Sequence, residues 1–250
     1  MTEQEWLASN EPDPMLEYLR NRVTDRKLRL FICACCRMIW PVLVGESSFP
    51  PRNRPLLLDH QRRAFRNAEV HLETAEHYAD RLVEPRSIVT AYVDALGLLL
   101  SRRPLEEPWA FALVAVLRAT TAGRCFYGRQ WEQIPPYDGC QCAVDAADYV
   151  LKVADWAGRP SNTPQIEISL IRDIFGNPFR PVKADATWLT PSVVALGQAI
   201  YDERAFGRLP ELADALVVAG CDDNDILTHC RSDGPHVRGC WVVDLVLGKG

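Results

Sequence analysis

Apolar residues recur along this chain at intervals of three and four, the spacing of one face of an α-helix. The clearest set is Leu28, Phe31, Ile32, Cys35 and Ile39, which predicts an amphipathic helix opened by Asp25 and ended by Pro41. Arg26, Lys27, Arg29 and Arg37 fall mostly off that stripe. A longer seam through Phe65, Ala68, Leu72, Ala75, Ala79 and Leu82 predicts a helix packed on another helix. Pro85 ends it and starts the next, through Ile88, Tyr92, Leu96 and Leu99. Trp109–Thr121 is apolar nearly all round, as a central helix would be. From Cys142 to Trp156 the inner stripe reads Val144, Ala147, Leu151 and Ala154, with Asp145, Asp148, Lys152 and Asp155 on the other face.

The helix ends carry their own signals. Thr2 and Glu5 form a capping box. Asp13-Pro14 and Thr190-Pro191 each place a cap before a proline suited to a first turn. Gln165–Phe175 is a helix stopped by the turn-rich Gly176–Val182. Gly220 closes Pro210–Ala219, and Asp222 with Asp225 opens Ile226–Cys230. Val237–Leu247 reads as helix or strand, with Gly248 as its stop. No long alternating pattern and no fixed repeat occur, so the fold expected is an all-α, irregular multi-helix bundle. Gly45–Pro55 and Gly158–Pro164 are loops, as is the aromatic connection Gly123–Gly139. The Gly158–Pro164 loop separates two helical lobes, residues 1–157 and 165–250, or joins two parts of one continuous domain.

Composition narrows the class. The chain has 250 residues, 48% apolar and 24% charged, which excludes a disordered or collagen-like chain. Nine cysteines in that length do not make a disulfide scaffold, and an odd number fits free, buried thiols in a reducing compartment. The start is acidic and broken by prolines, unlike a secretory signal, and the longest apolar run, Trp109–Leu117, is too short for a membrane span. A cytoplasmic location with no membrane partner is expected. The net charge of −5 hides a basic segment: eleven Arg and Lys lie between Arg20 and Arg66 against three acids. Arg outnumbers Lys throughout the chain and no aromatic-interleaved strand accompanies it, which argues against a nucleic-acid partner.

Candidate chemistry is sparse. Serine-hydrolase, P-loop, dinucleotide, zinc-protease and kinase motifs are absent from the chain. Cys33-Ala34-Cys35-Cys36 sits inside a helix, where Cys33 and Cys35 point to opposite sides and cannot easily share an ion, and Cys140-Gln141-Cys142 lacks a second pair at zinc-ribbon spacing. Asp145, Asp148 and Asp155 lack the Glu-x-x-His pairs of a diiron bundle and read as a solvated face. The densest group is Cys221, His229, Cys230, His236 and Cys240, with Asp222, Asp223 and Asp225 nearby. It fits no common zinc spacing, and Cys230 at a helix C-terminus is poorly placed as a thiolate nucleophile. Buried packing cysteines, no metal and no cofactor are the expectation. Whether these groups converge is the question the sequence poses. Two loops combine rings with polar groups: Ile174–Val182 supplies Asn177 and Arg180, and Ser232–Trp241 supplies His236, Arg238 and Trp241. These five are the candidate partner contacts.

The phrases LIRDIFGNPFRPV (170–182), AIYDERAFGRLPELADAL (199–216) and GCDDNDILTHCRSDGPHVRGCWVVDLVLGK (220–249), with the opening 2–40, resemble an expanded family of uncharacterised planctomycete proteins. The resemblance implies a bacterial cytosolic setting and a family-specific helical fold. It carries over no activity and no site residue. The function expected is a non-enzymatic helical protein-interaction module. The alternative is an enzyme or metal-dependent regulator built on the C-terminal Cys/His cluster, and the third reading is an Arg-rich nucleic-acid binder.

Overall fold

A computed structural model describes residues 1–44, 59–100, 114–116, 118–119, 138–156 and 163–249. Helix accounts for 71% of the described residues and no strand occurs among them, so the chain is an all-α, multi-helix protein. None of the described helices is long and apolar enough to cross a membrane. The helices are α1 (Glu3–Ala8), α2 (Pro12–Leu19), α3 (Asp25–Val44), α4 (Asp59–Ala79), α5 (Pro85–Leu100), α6 (Gly139–Trp156), α7 (Thr163–Phe175), α8 (Pro191–Asp202), α9 (Leu209–Val218), α10 (Asn224–Cys230) and α11 (Trp241–Leu247). The predicted loops Gly45–Pro55 and Gly158–Pro164, the connection Gly123–Gly139 and the helix Trp109–Thr121 fall largely outside the described residues.

Contacts divide the chain into two compact units, Ser9–Glu167 and Met1–Ala8 with Ile168–Gly250. The division falls inside α7 instead of at the preceding loop, and the first helix belongs with the C-terminal part. Local sequence marks a loop, but not which distant segment a short helix will pack on.

The unit Ser9–Glu167 is built on α3, which packs against α4 and α6. The predicted stripe Leu28, Phe31, Ile32, Cys35 and Ile39 is buried, but so are Leu30, Cys33, Ala34 and Cys36, so α3 is enclosed on nearly every side. Thr24, not Asp25, supplies its cap, its hydroxyl accepting from the Lys27 amide at 3.4 Å. The helix also runs through Pro41 instead of stopping there. One missing N–H is tolerated when the flanking turns are held by packing. In α2, Glu11 is the N-cap and Pro12 the first residue, so Asp13 lies within the first turn. That helix ends at Leu19, and Asn21 takes a left-handed φ of 60°. In α4, Leu72, Ala75 and Ala79 are inside, whereas Leu82 lies beyond the helix end and is 63% exposed.

The inner face of α6 differs from the predicted one. Ala143, Ala146, Ala147, Val150 and Val153 are buried, while Val144 and Leu151 are only half-buried. Small alanines let the backbones of α6 and α3 approach, and the bulkier residues flank the contact. Several described arginines of the basic segment are engaged inside this unit. Arg37 grips the buried Glu76 with two bonds of 2.7 and 3.0 Å, and Arg26 meets Asp80 at 3.0 Å. Arg20 pairs with Glu17 and Asp138, and Arg29 lies over the Tyr78 ring and donates to the Ala119 carbonyl. Two-pronged pairs of this kind fix helix register.

The other unit has a core of Ile200, Leu209, Leu212, Leu216, Ile226, Val242, Val243 and Val246. Thr190 caps α8 as predicted, accepting from the Val193 amide. Asp223 caps α10, one residue after the predicted Asp222. The last segment is helix, not strand, and Gly248 ends it with a φ of 63°. Gly197 lets α8 meet α11: a Cβ there would stand 3.0 Å from Val246. The Thr2–Glu5 capping box forms, with bonds of 2.7 and 3.3 Å, and Trp6 of α1 is buried.

One buried group in the Ser9–Glu167 unit works against stability. Both carboxyl oxygens of Glu167 are buried without a hydrogen-bond partner. Burial, with the nearby charges of Asp13 and Asp148, pushes its pKa up to about 8. The folded chain therefore holds this proton more tightly than the unfolded chain does. The contribution is complete below the ordinary glutamate range and is lost as pH rises to about 8. Each tenfold change in proton affinity is worth about 1.4 kcal/mol, so the loss across that window is about 5 kcal/mol. Glu167→Gln is expected to flatten this slope, raising the melting temperature at pH 8.5 and changing it little at pH 5. Denaturant titrations at both values check it; an unchanged slope refutes the assignment.

Candidate metal centre

The unit formed by Met1–Ala8 and Ile168–Gly250 brings together four groups that are far apart in sequence: Asp173, His229, His236 and Cys240. One ligand-type atom from each lies within 4.8 Å of all the others. Among the described residues no other set of this kind occurs.

Local structure explains each position. Asp173 is on the last turn of α7, on the face that also buries Leu170, Ile171 and Ile174, and is itself 3% exposed. Gly176, at a φ of 66°, stops α7 against the ring of Trp241: a Cβ there would be 3.2 Å from the indole. His229 is on the last turn of the seven-residue α10. Its neighbour Cys230 points the other way, into the core, as the helical turn between consecutive residues requires. His236 follows Gly234-Pro235 in the next turn, and Cys240 immediately precedes α11.

The distances are short. Asp173 Oδ1 lies 2.6 Å from His236 Nδ1 and 3.1 Å from His229 Nε2. Cys240 Sγ is 3.2 Å from the same His229 Nε2. The second carboxylate oxygen of Asp173 accepts the Val237 amide at 2.9 Å. The His229 ring stands edge-on to His236 at 4.9 Å and tilted to Trp241 at 5.2 Å between centroids. Burial alone would raise the Asp173 carboxyl, but the hydrogen bonds and charges of His229 and His236 outweigh it and hold its pKa below the usual range. Burial opposes charge on His236, yet Asp173 and the Ser232 backbone raise its pKa overall. Burial and the charge of Asp173 push the Cys240 thiol well up, against the backbone amides of Val243 and Val242.

Proton accounting decides what this arrangement can do. His236 Nε2 is 3.2 Å from the Ser232 carbonyl, which only accepts, so Nε2 carries the hydrogen. Asp173 at 2.6 Å favours a second proton on Nδ1, so His236 as an imidazolium donates to the carboxylate from Nδ1 and to the carbonyl from Nε2. A bound cation would take the place of the Nδ1 proton. His229 Nε2 faces both a carboxylate oxygen and a sulfur, and a single hydrogen cannot satisfy both well. With their protons displaced, the carboxylate, the two imidazoles and the thiolate would offer a cation one oxygen, two nitrogens and one sulfur. A zinc-type tetrahedron has ligand–ligand edges of about 3.3–3.8 Å, so an ion requires the 2.6 Å Asp173–His236 contact to open and the widest separation, up to 4.8 Å, to close. The bond from His236 to the Ser232 carbonyl is the outer-shell support such a ligand needs.

Ser232, His236 and Asp173 also lie in a row, with Ser232 Oγ 3.3 Å from His236 Nε2. The hydroxyl, however, donates to the His229 carbonyl at 2.8 Å, and Nε2 is itself a donor, so Ser232 is not poised as a nucleophile.

The structure gives each predicted contact residue a place. Asn177 and Arg180 bind Glu3 of α1, at 2.8 and 2.6 Å. Arg238 is buried with its guanidinium over the Tyr201 ring at 4.7 Å. Trp241 packs on Gly176 and His229, and His236 joins the centre. Of the sequence cluster, His229, His236 and Cys240 converge, whereas Cys221 and Cys230 belong to the hydrophobic core. Asp222 and Asp225 are not members; the carboxylate is Asp173, 63 residues before His236. Its signal in the sequence was an acid three residues beyond Leu170 on an inward-facing stripe.

Comparison with protein-family models, curated proteins and solved structures finds no match to this chain. Gly176→Ala combines a left-handed φ with a clash against Trp241, and is expected to cost about 1–3 kcal/mol. The cost is read as a shift in the denaturation midpoint, together with changed tryptophan fluorescence. A neutral effect would mean that Trp241 does not seat on this turn.

Proposed function

We propose that this protein is a metal-dependent helical regulator whose C-terminal segments bind one zinc-type divalent ion. The ligands are Asp173 Oδ1, His229 Nε2, His236 Nδ1 and Cys240 Sγ. The observation that carries this reading is the convergence of one ligand-type atom from each of these four residues within 4.8 Å, with His236 Nε2 beside a carbonyl. A set of one oxygen, two nitrogens and one sulfur favours borderline-soft cations over magnesium or calcium. Asp173 and Cys240 are buried, and four protein ligands complete a tetrahedron. The ion therefore holds structure together instead of activating water, and the protein responds to metal availability. Asn177 and Arg180 bind Glu3 and Arg238 stacks on Tyr201 within the unit.

The untagged protein is expected to contain about one zinc-type ion per chain by elemental analysis. Cobalt substitution should give a thiolate charge-transfer band that Cys240→Ser abolishes, while His229→Ala lowers metal content. Because the ion binds only the folded chain, an excess of a thousandfold over its Kd adds about 4 kcal/mol of apparent stability, which a chelator removes. Ser232→Ala should retain the ion. A metal-free protein indifferent to chelator overturns the proposal, and loss of a hydrolytic activity in Ser232→Ala would favour the serine reading instead.

A further inference from the structure

We infer that ion uptake and the docking of helix α1 are one linked equilibrium, an inference that rests on the metal reading above. Helix α1 is six residues long and too short to hold its own shape, so its order comes from what it is docked on. Two of its anchors flank the ligand Asp173. Arg172, the preceding residue, donates from Nη2 to the carbonyls of Trp6 and Leu7 at 3.1 and 2.9 Å, closing the C-terminal end of α1. Asn177 and Arg180, in the turn that follows α7, hold Glu3 near its start at 2.8 and 2.6 Å.

The turn bearing Asn177 and Arg180 is tied to the other ligands as well. Gly176 rests against Trp241, which follows Cys240 and lies 5.2 Å from the His229 ring. An ion held by Asp173, His229, His236 and Cys240 fixes the end of α7 against the segment 229–241. The same end of α7, with its closing turn, is the platform for both ends of α1. Without the ion, hydrogen bonds alone join Asp173, His229, His236 and Cys240, a weaker tie than bonds to a shared metal, and α1, with its buried Trp6, is the element that a looser platform releases. Coupling between two binding events is reciprocal, so weakening α1 docking must weaken the ion to the same extent.

The test uses the full chain, zinc-loaded and chelator-treated. Hydrogen exchange of the amides in residues 1–8 is expected to be at least tenfold slower with zinc bound. In a competition assay against a chromophoric chelator, Glu3→Ala, which removes the contacts to Asn177 and Arg180, is expected to raise the zinc Kd roughly fivefold or more. Arg172→Ala should do the same from the other end of α1. If zinc binds the wild type but exchange in residues 1–8 is the same with and without it, the coupling falls and the metal reading stands. An unaltered zinc Kd in both Glu3→Ala and Arg172→Ala has the same meaning. If the competition assay shows no zinc binding at all, the metal reading falls and the coupling with it.

Discussion

The buried carboxylate of Asp173 is the constraint on which the C-terminal unit turns. One oxygen receives the Val237 amide and the other faces two imidazoles. An acid at 3% exposure is tolerable only with every lone pair engaged, so the positions of α10, of the turn after it and of α11 follow from this one group. The two helices carrying or adjoining the other ligands have seven residues each, too few to be stable alone. Their apolar faces supply the driving force, through Ile226, Val242, Val243 and Val246, and the polar centre supplies the register.

The two units solve the problem of registering helices differently. In Ser9–Glu167, α3 and α4 are pinned by arginines on buried acids, Arg37 on Glu76 and Arg26 on Asp80. These pairs engage two of the eleven cations between Arg20 and Arg66. In the other unit the pinning groups are imidazoles, a thiol and a carboxylate, whose partner preferences change with what is bound. The first unit is pinned by guanidinium–carboxylate pairs and the second by a cluster of metal-binding residue types.

Much of the fold was legible in the chain because its signals are local. The Thr2–Glu5 capping box, Thr190-Pro191 and the glycines at 220 and 248 each act within a turn of where they stand. Misreadings came where tertiary packing overrides a local rule. Pro41 is carried inside α3 by enclosure, and the alanines of α6, not its larger residues, face inward. The centre was half legible. His229, His236 and Cys240 stand out as a dense group of metal-binding residue types, but their spacing matches no familiar motif because the fourth member comes from α7. No periodicity links Asp173 to His236; only the docking of α7 does. Asn177, Arg180 and Arg238 drew attention as polar groups beside aromatic rings, which is also how residues that tie a small unit together look.

The enclosure of α3 has a consequence for how the protein's openings can be seen. Cys33, Cys35 and Cys36 are each at most 1% exposed, and burial drives all three thiols far from the reactive thiolate form. A thiol reagent therefore meets them only when α3 parts from α4 and α6. The sulfurs on this one helix are a built-in clock: the pace at which they are modified counts excursions of the core, and says little about the sulfurs themselves.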